Sequence, residues 1–225
     1  MADLNTRTHT KWLLHTHAHL LGSCPGEGSP GILRHTMHAS WLLLLAGSSL
    51  CSAARPRPAI INAAYAAGCA GDGAGGADAK TLAAATAGVN VILWFSISLA
   101  NVSGAPAVTG GPPLNCIAAT AAALRARGLA TTHMITVGGW DAPHPSTAFP
   151  AETMYAAWSK WNEEVVAAAG LLGGFDGVDW DLEGNDNATS VFNTMSVETL
   201  ALVGRFSQLA RADDYIVSLV PCGAC

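Results

Sequence analysis

Between residues 59 and 220 the chain alternates between short runs rich in β-branched and aromatic residues and longer stretches rich in Ala and Leu. The runs Ala59–Tyr65, Val89–Leu99, His133–Val137, Phe175–Glu183 and Tyr215–Val220 predict five strands. The stretches Ala77–Ala87, Leu114–Arg127, Pro150–Ala169 and Val197–Ala212 predict helices between them. Gly128 stops the second helix and Gly170 the third. The fourth sets Leu200, Val203, Phe206 and Leu209 at helical spacing. Alternation of strand and helix predicts an α/β fold with a parallel sheet and helices outside it.

One predicted strand departs from the apolar pattern. Phe175–Gly184 reads F-D-G-V-D-W-D-L-E-G. Successive strand side chains point to opposite faces, so Asp179, Asp181 and Glu183 share one face and Val178, Trp180 and Leu182 the other. No Lys, Arg or His occurs from Trp161 to Gly204 to balance an exposed acidic face. The apolar approach Leu171–Phe175 also suits a strand covered on both sides. The carboxyls are therefore expected to face an interior or a cleft. Burying one ionised carboxylate costs several kcal/mol, against roughly 5–15 kcal/mol for the stability of a whole domain. Three on one face point to chemistry. Stacked like charges raise one another's pKa, and one carboxyl is then kept protonated near neutral pH, as a general acid must be.

The run D-G-V-D-W-D-L-E resembles the D-G-x-D-x-D-x-E signature of the family 18 glycoside hydrolases, the chitinases and their relatives. Thr136-Val137-Gly138-Gly139 is similar to the S-x-G-G that ends the third strand in that family, with Thr in place of Ser. The stretch from Gly174 to Pro221 resembles the microbial and algal branch. This resemblance implies a (β/α)8 TIM barrel with the acidic run on its fourth strand. A full barrel takes about 250 residues and eight strands. About five strands are predicted here, so the expectation is the first part of such a barrel over 55–225, truncated before the later strands.

The resemblance also implies a mechanism in which the substrate's own N-acetyl oxygen is the nucleophile. Glu183 would protonate the glycosidic oxygen and then activate water. Asp181 would orient the acetamide, and Asp179 would hold Asp181 and share its proton. Thr136, Gly138, Gly139 and Trp140 would line the substrate site, Trp140 as a sugar platform or else as a core residue. Asp176, of opposite parity, and Gly177 take structural roles. The implied partner is chitin or an N-acetylglucosamine oligosaccharide, with no metal and no cofactor. The rival readings are an inactive fragment and a non-catalytic glycan-binding relative.

Composition narrows the partners. The chain has 225 residues, 50% hydrophobic and 12% charged, with a net charge of -5 and a pI near 5.8. That is enough apolar material for one sizeable core, and there is no basic footprint for nucleic acid. Met37, the apolar run Trp41–Leu50 and small residues up to Ala54 have the layout of a secretory signal over 37–54. The apolar run is too short to span a bilayer, so a secreted monomer without a stable membrane anchor is expected. Residues 1–36 then read as an upstream segment ahead of the true start, and His9, His15, His17 and His19 within it as incidental. Cys69, Cys116, Cys222 and Cys225 remain, an even number that suits an oxidising compartment and leaves three pairings open. Sequons occur at Asn101 and Asn187.

Overall fold

The computed structural model describes residues 55, 57–67, 69, 76–140, 142–186, 189 and 194–220. The upstream segment, the predicted signal, the Asn187 sequon, Cys222 and Cys225 lie outside the described residues.

The elements run β1 (Ala63–Ala66), α1 (Ala79–Thr86), β2 (Val91–Val102), β3 (Ala105–Gly110), α2 (Leu114–Ala126), β4 (Thr132–Trp140), α3 (Ala151–Lys160), β5 (Gly177–Glu183), α4 (Val197–Ala212) and β6 (Ile216–Leu219). The parallel strands lie in the order β1-β2-β4-β5-β6, and β3 adds to β2 antiparallel. The sheet and its helices are the predicted α/β arrangement. β1 and β6 stand at the two ends of the order, and no ladder joins them among the described residues.

Residues paired across a parallel ladder share a face, so the register sorts the side chains into two layers. One face carries Ile92, Trp94, Ile135, Val137, Val178, Trp180 and Leu182, which pack with Ile117, Leu124, Met154, Trp158 and Phe206 of the helices. Aromatic rings dominate there: Trp180 meets Phe206 edge-on at 5.1 Å, and Trp158 meets Tyr215 at 4.8 Å. The other face begins as a small apolar plug of Val91, Leu93 and Met134, flanked by Ala63 and Ile216. Further along the strands this same face turns polar. Thr136 is in register with Asp179, and Asp179 with Ser218.

Caps and cross-links set the element ends. Asp78 accepts from the N–H groups of Lys80 and Thr81 at the start of α1, and Ser196 accepts from Thr199 N–H at the start of α4. A disulfide joins Cys69 to Cys116, so the segment after β1 is tied to α2. This selects one of the three pairings that the sequence left open.

Four expectations are corrected. The predicted second strand continues through Val102 into a hairpin with β3, whose Ser103 and Gly104 both have positive φ, of 52° and 84°. Two positive φ values suit the right-handed twist of a two-residue hairpin turn, and Ser-Gly was its signal in the sequence. β4 runs three residues beyond Val137, because Gly138, Gly139 and Trp140 still pair with Asp181, Leu182 and Glu183. The third helix changes to π-helical winding over Trp161–Val166. There the buried Asn162 side chain accepts from Phe175 N–H and donates to Phe175 C=O, which fastens the helix to the approach of β5. On α4, Leu200 is exposed while Thr199, Leu202, Val203, Phe206 and Ala210 are buried. The buried stripe is therefore rotated from the predicted one.

Candidate active site

Period-two alternation carries Asp179, Asp181 and Glu183 along one face of β5, while Val178, Trp180 and Leu182 enter the helix-side core. Asp179 is fully buried and Asp181 is 5% exposed. Glu183, the last strand residue, is half-buried. The carboxyls thus face inward, as the absence of nearby cations implied.

Three hydroxyls converge on Asp179. Tyr65 Oη donates to Oδ2 at 2.9 Å, Thr136 Oγ1 donates to Oδ2 at 3.3 Å, and Ser218 Oγ donates to Oδ1 at 2.5 Å. They come from β1, β4 and β6, so this one carboxyl gathers donors across the sheet. Burial pushes the Asp179 carboxyl up, and the bonds from Ser218, Tyr65 and Thr136 oppose that without cancelling it. Desolvation leads here, where like-charge stacking had been expected to. The Tyr65 hydroxyl is pushed far above its ordinary range by its own burial and by Asp179 and Asp181. It remains a donor at any working pH.

The glycines after Thr136 make this close packing possible. A Cβ on Gly138 would lie 2.4 Å from Asp181 C=O, and one on Gly139 would lie 2.2 Å from the Phe95 ring; both residues have positive φ. Phe95 meets Tyr65 edge-on at 5.9 Å, so aromatic rings flank the carboxyls on the β1–β2 side. Trp140, in register with Glu183, is 76% exposed, which excludes a core role for it.

Asp176 and Gly177 lie at the opposite end of β5. Asp176 accepts from His133 N–H at 2.8 Å, and its own N–H donates to His133 C=O at 2.7 Å. Arg55 Nη1 stands 3.9 Å from it. Burial raises this carboxyl against the lowering influence of the His133 N–H and Arg55. A Cβ on Gly177 would lie 2.0 Å from Ile216 C=O, so only glycine fits the β5–β6 approach there.

Tyr65, Phe95 and Ser218 escaped the sequence reading. Ser218 interrupts an apolar strand, and Tyr65 is the last residue of the predicted first strand, but neither signal means anything until β6 sets Ser218 opposite Asp179 and the Tyr65 hydroxyl reaches it from β1. Among the described residues, no three His, Cys, Asp or Glu side chains are grouped to hold a metal ion, and no helix is long and apolar enough to cross a membrane.

No family model and no curated relative matches the chain. Among solved structures it is similar to the Ostrinia furnacalis Group IV chitinase, with 14% identity over 58% of this chain and 35% of that one and a TM-score of 0.40. It is also similar to the family 18 chitinase from Crocus vernus, with 11% identity over 58% and 48% and a TM-score of 0.41. For the chitinase from Rhizomucor miehei the values are 15% identity, 58%, 40% and 0.40. The chain thus spans less than half the length of each. A likeness this slight assigns no residue a role.

Proposed function

We propose that the chain carries the acid/base centre of a glycoside hydrolase that cleaves N-acetylglucosamine glycans of the chitin type. The observation that carries this reading is the inward column Asp179–Asp181–Glu183, whose deepest member is buried and held by three hydroxyls. Structural need does not explain such a column, since apolar residues there would cost nothing in desolvation. The five matching positions of D-G-x-D-x-D-x-E support the same reading.

In this mechanism Glu183, at the rim, gives its proton to the glycosidic oxygen as the bond to the anomeric carbon breaks. The substrate's acetamide oxygen closes on that carbon from the other face, and Asp181 orients the acetamide and accepts from its N–H. Water, deprotonated by Glu183, then opens the ring that formed. Asp179, with its carboxyl raised, holds Asp181 from below and shares a proton with it. The exposed Trp140 indole offers an apolar face to a sugar ring beside Glu183. The sheet, open among the described residues, is read as the first part of a barrel. The Cys69–Cys116 disulfide supports an oxidising, secreted location.

Hydrolysis of N-acetylglucosamine oligomers by the purified chain, compared with Glu183→Gln, tests the proposal. Turnover that survives the substitution overturns the assignment of the acid. Binding without turnover in both proteins would establish a glycan-binding protein instead.

A further inference from the structure

Glu183 ends its strand with support on one side. β4 pairs with β5 as far as Trp140 and Glu183, whereas among the described residues the β6 ladder reaches only Trp180 and Leu219, followed by Val220 N–H donating to Trp180 C=O. The last three residues of β5 are held within the sheet by β4, and the two connections at this end add to that hold.

The two connections at this end meet just past Glu183. A Cβ on Gly184 would lie 2.2 Å from Ala142 C=O and 3.4 Å from His144 Nε2, so the β4–α3 connection packs against the Gly184 backbone. Two residues further on, Asp186 Oδ1 lies 2.9 Å from His144 Nδ1. The other oxygen of Asp186 accepts from Ser196 N–H at 2.6 Å and from Thr199 Oγ1 at 2.9 Å, at the cap of α4. Burial raises the Asp186 carboxyl, but the bonds from Ser196, His144 and Thr199 outweigh it and hold the group below its usual range. An ionised Asp186 accepts at Oδ1 from the Nδ1–H of His144. His144 Nε2 is buried and has no hydrogen-bond partner among the described residues, on a side chain only 3% exposed.

We infer that the His144–Asp186 pair is a clamp that positions Glu183, an inference that rests on the acid/base role proposed above. His144 is a positioning residue: its ring stands over the Gly184 position next to Glu183, and its bond to Asp186 ties the connection leaving Trp140 to the first turn of α4. Glu183 lies between these anchors. A donor displaced by about 1 Å loses on the order of a hundredfold in rate, so an anchor just past the end of the strand has a direct catalytic consequence.

The test uses the full chain with His144→Ala, Asp186→Ala, the double variant and His144→Asn, whose amide N–H can replace Nδ1–H. For folded protein, each alanine variant is expected to lower kcat by about a hundredfold with KM within about threefold. The double variant should be no worse than either single one, and His144→Asn should recover most of the loss. Unchanged kcat in folded His144→Ala, or additive losses in the double variant, would overturn the clamp. A wild type without turnover overturns the functional reading alone. The clamp is then read from the 13C carboxyl resonance of Glu183: it is supported if the resonance moves in His144→Ala and returns in His144→Asn, and refuted if it stays put in both.

Discussion

The two faces of β5 occupy alternate positions of the same seven residues and answer to opposite demands. Val178, Trp180 and Leu182 are almost fully buried among helix side chains, with Trp180 Nε1 donating to Ser207 Oγ at 3.0 Å and its ring against Phe206. Asp179 and Asp181 are buried nearly as deeply, Asp179 among three hydroxyls. One face lowers the free energy of folding by removing apolar surface from water, and the other raises it by desolvating carboxyls. A strand can carry both because its period is two.

That contrast predicts separable phenotypes. Trp180→Ala should produce the largest change, a loss of about 3–5 kcal/mol of stability measured by chemical denaturation. A loss under about 1 kcal/mol would show that the helix-side layer does not carry the fold. Glu183→Gln, on the opposite face, is expected to leave the denaturation midpoint almost unchanged. Its turnover on N-acetylglucosamine oligomers should fall by about 10²–10³, roughly 2.7–4 kcal/mol of transition-state stabilisation.

Acidity should tell the two faces apart as well. His133 shares the helix-side layer with Trp94, whose Nε1–H donates to His133 Nδ1 at 3.1 Å, and Thr131 Oγ1 lies 3.0 Å from Nε2. Burial, with Arg125 adding to it, lowers the His133 pKa to about 4. A depressed histidine favours the neutral folded form, so its contribution is complete above the unfolded value near 6.5 and is lost as pH falls towards 4. The loss amounts to about 3 kcal/mol at most. His133→Asn should flatten that part of the stability profile, and an unchanged slope between pH 7 and 4 would sink the assignment.

Asp179 has the opposite sign. Its carboxyl is raised in the folded protein, so the stability it contributes is complete below the unfolded value near 3.9 and is lost as pH rises through the folded one. Asp179→Asn cannot ionise and should be more stable than the wild type at neutral pH, while turning over substrate more slowly. A variant less stable at neutral pH would mean that the three donors outweigh desolvation. Trp140→Ala should give the smallest structural effect, within about 0.5 kcal/mol, because its side chain is exposed. Its expected signature is a rise in KM of about tenfold.

Much of this contrast was legible in the chain. The alternation in Phe175–Gly184 and the lack of cations from Trp161 to Gly204 already separate the two faces of β5 and turn the acidic one inward. The limits of α4 follow from local signals, with Ser196 at its cap and Val197–Ala212 its extent in both prediction and structure. Other features had weaker local signals. Leu200 and Leu202 fit a helical stripe almost equally well, and only the packing against α3 and β6 chose the second. The β2–β3 hairpin hid because a single long apolar run followed by Ser-Gly reads as a strand and a loop until a partner segment is paired with it.

By itself the sequence determined what period and composition control: the alternation of the five parallel strands with helices, though not the β3 hairpin strand, and the acidic column on β5. Those follow from local sterics and from the cost of exposing apolar or burying charged groups, which act over a few residues. Tertiary structure alone decided who stands next to the column. Tyr65 and Ser218 are 114 and 39 residues from Asp179 along the chain, and His144 is 42 residues from Asp186. The β5–β6 register, the reach of Tyr65 from β1 across the sheet and the path of two connections brought them together, and none of these is written in any local run of residues.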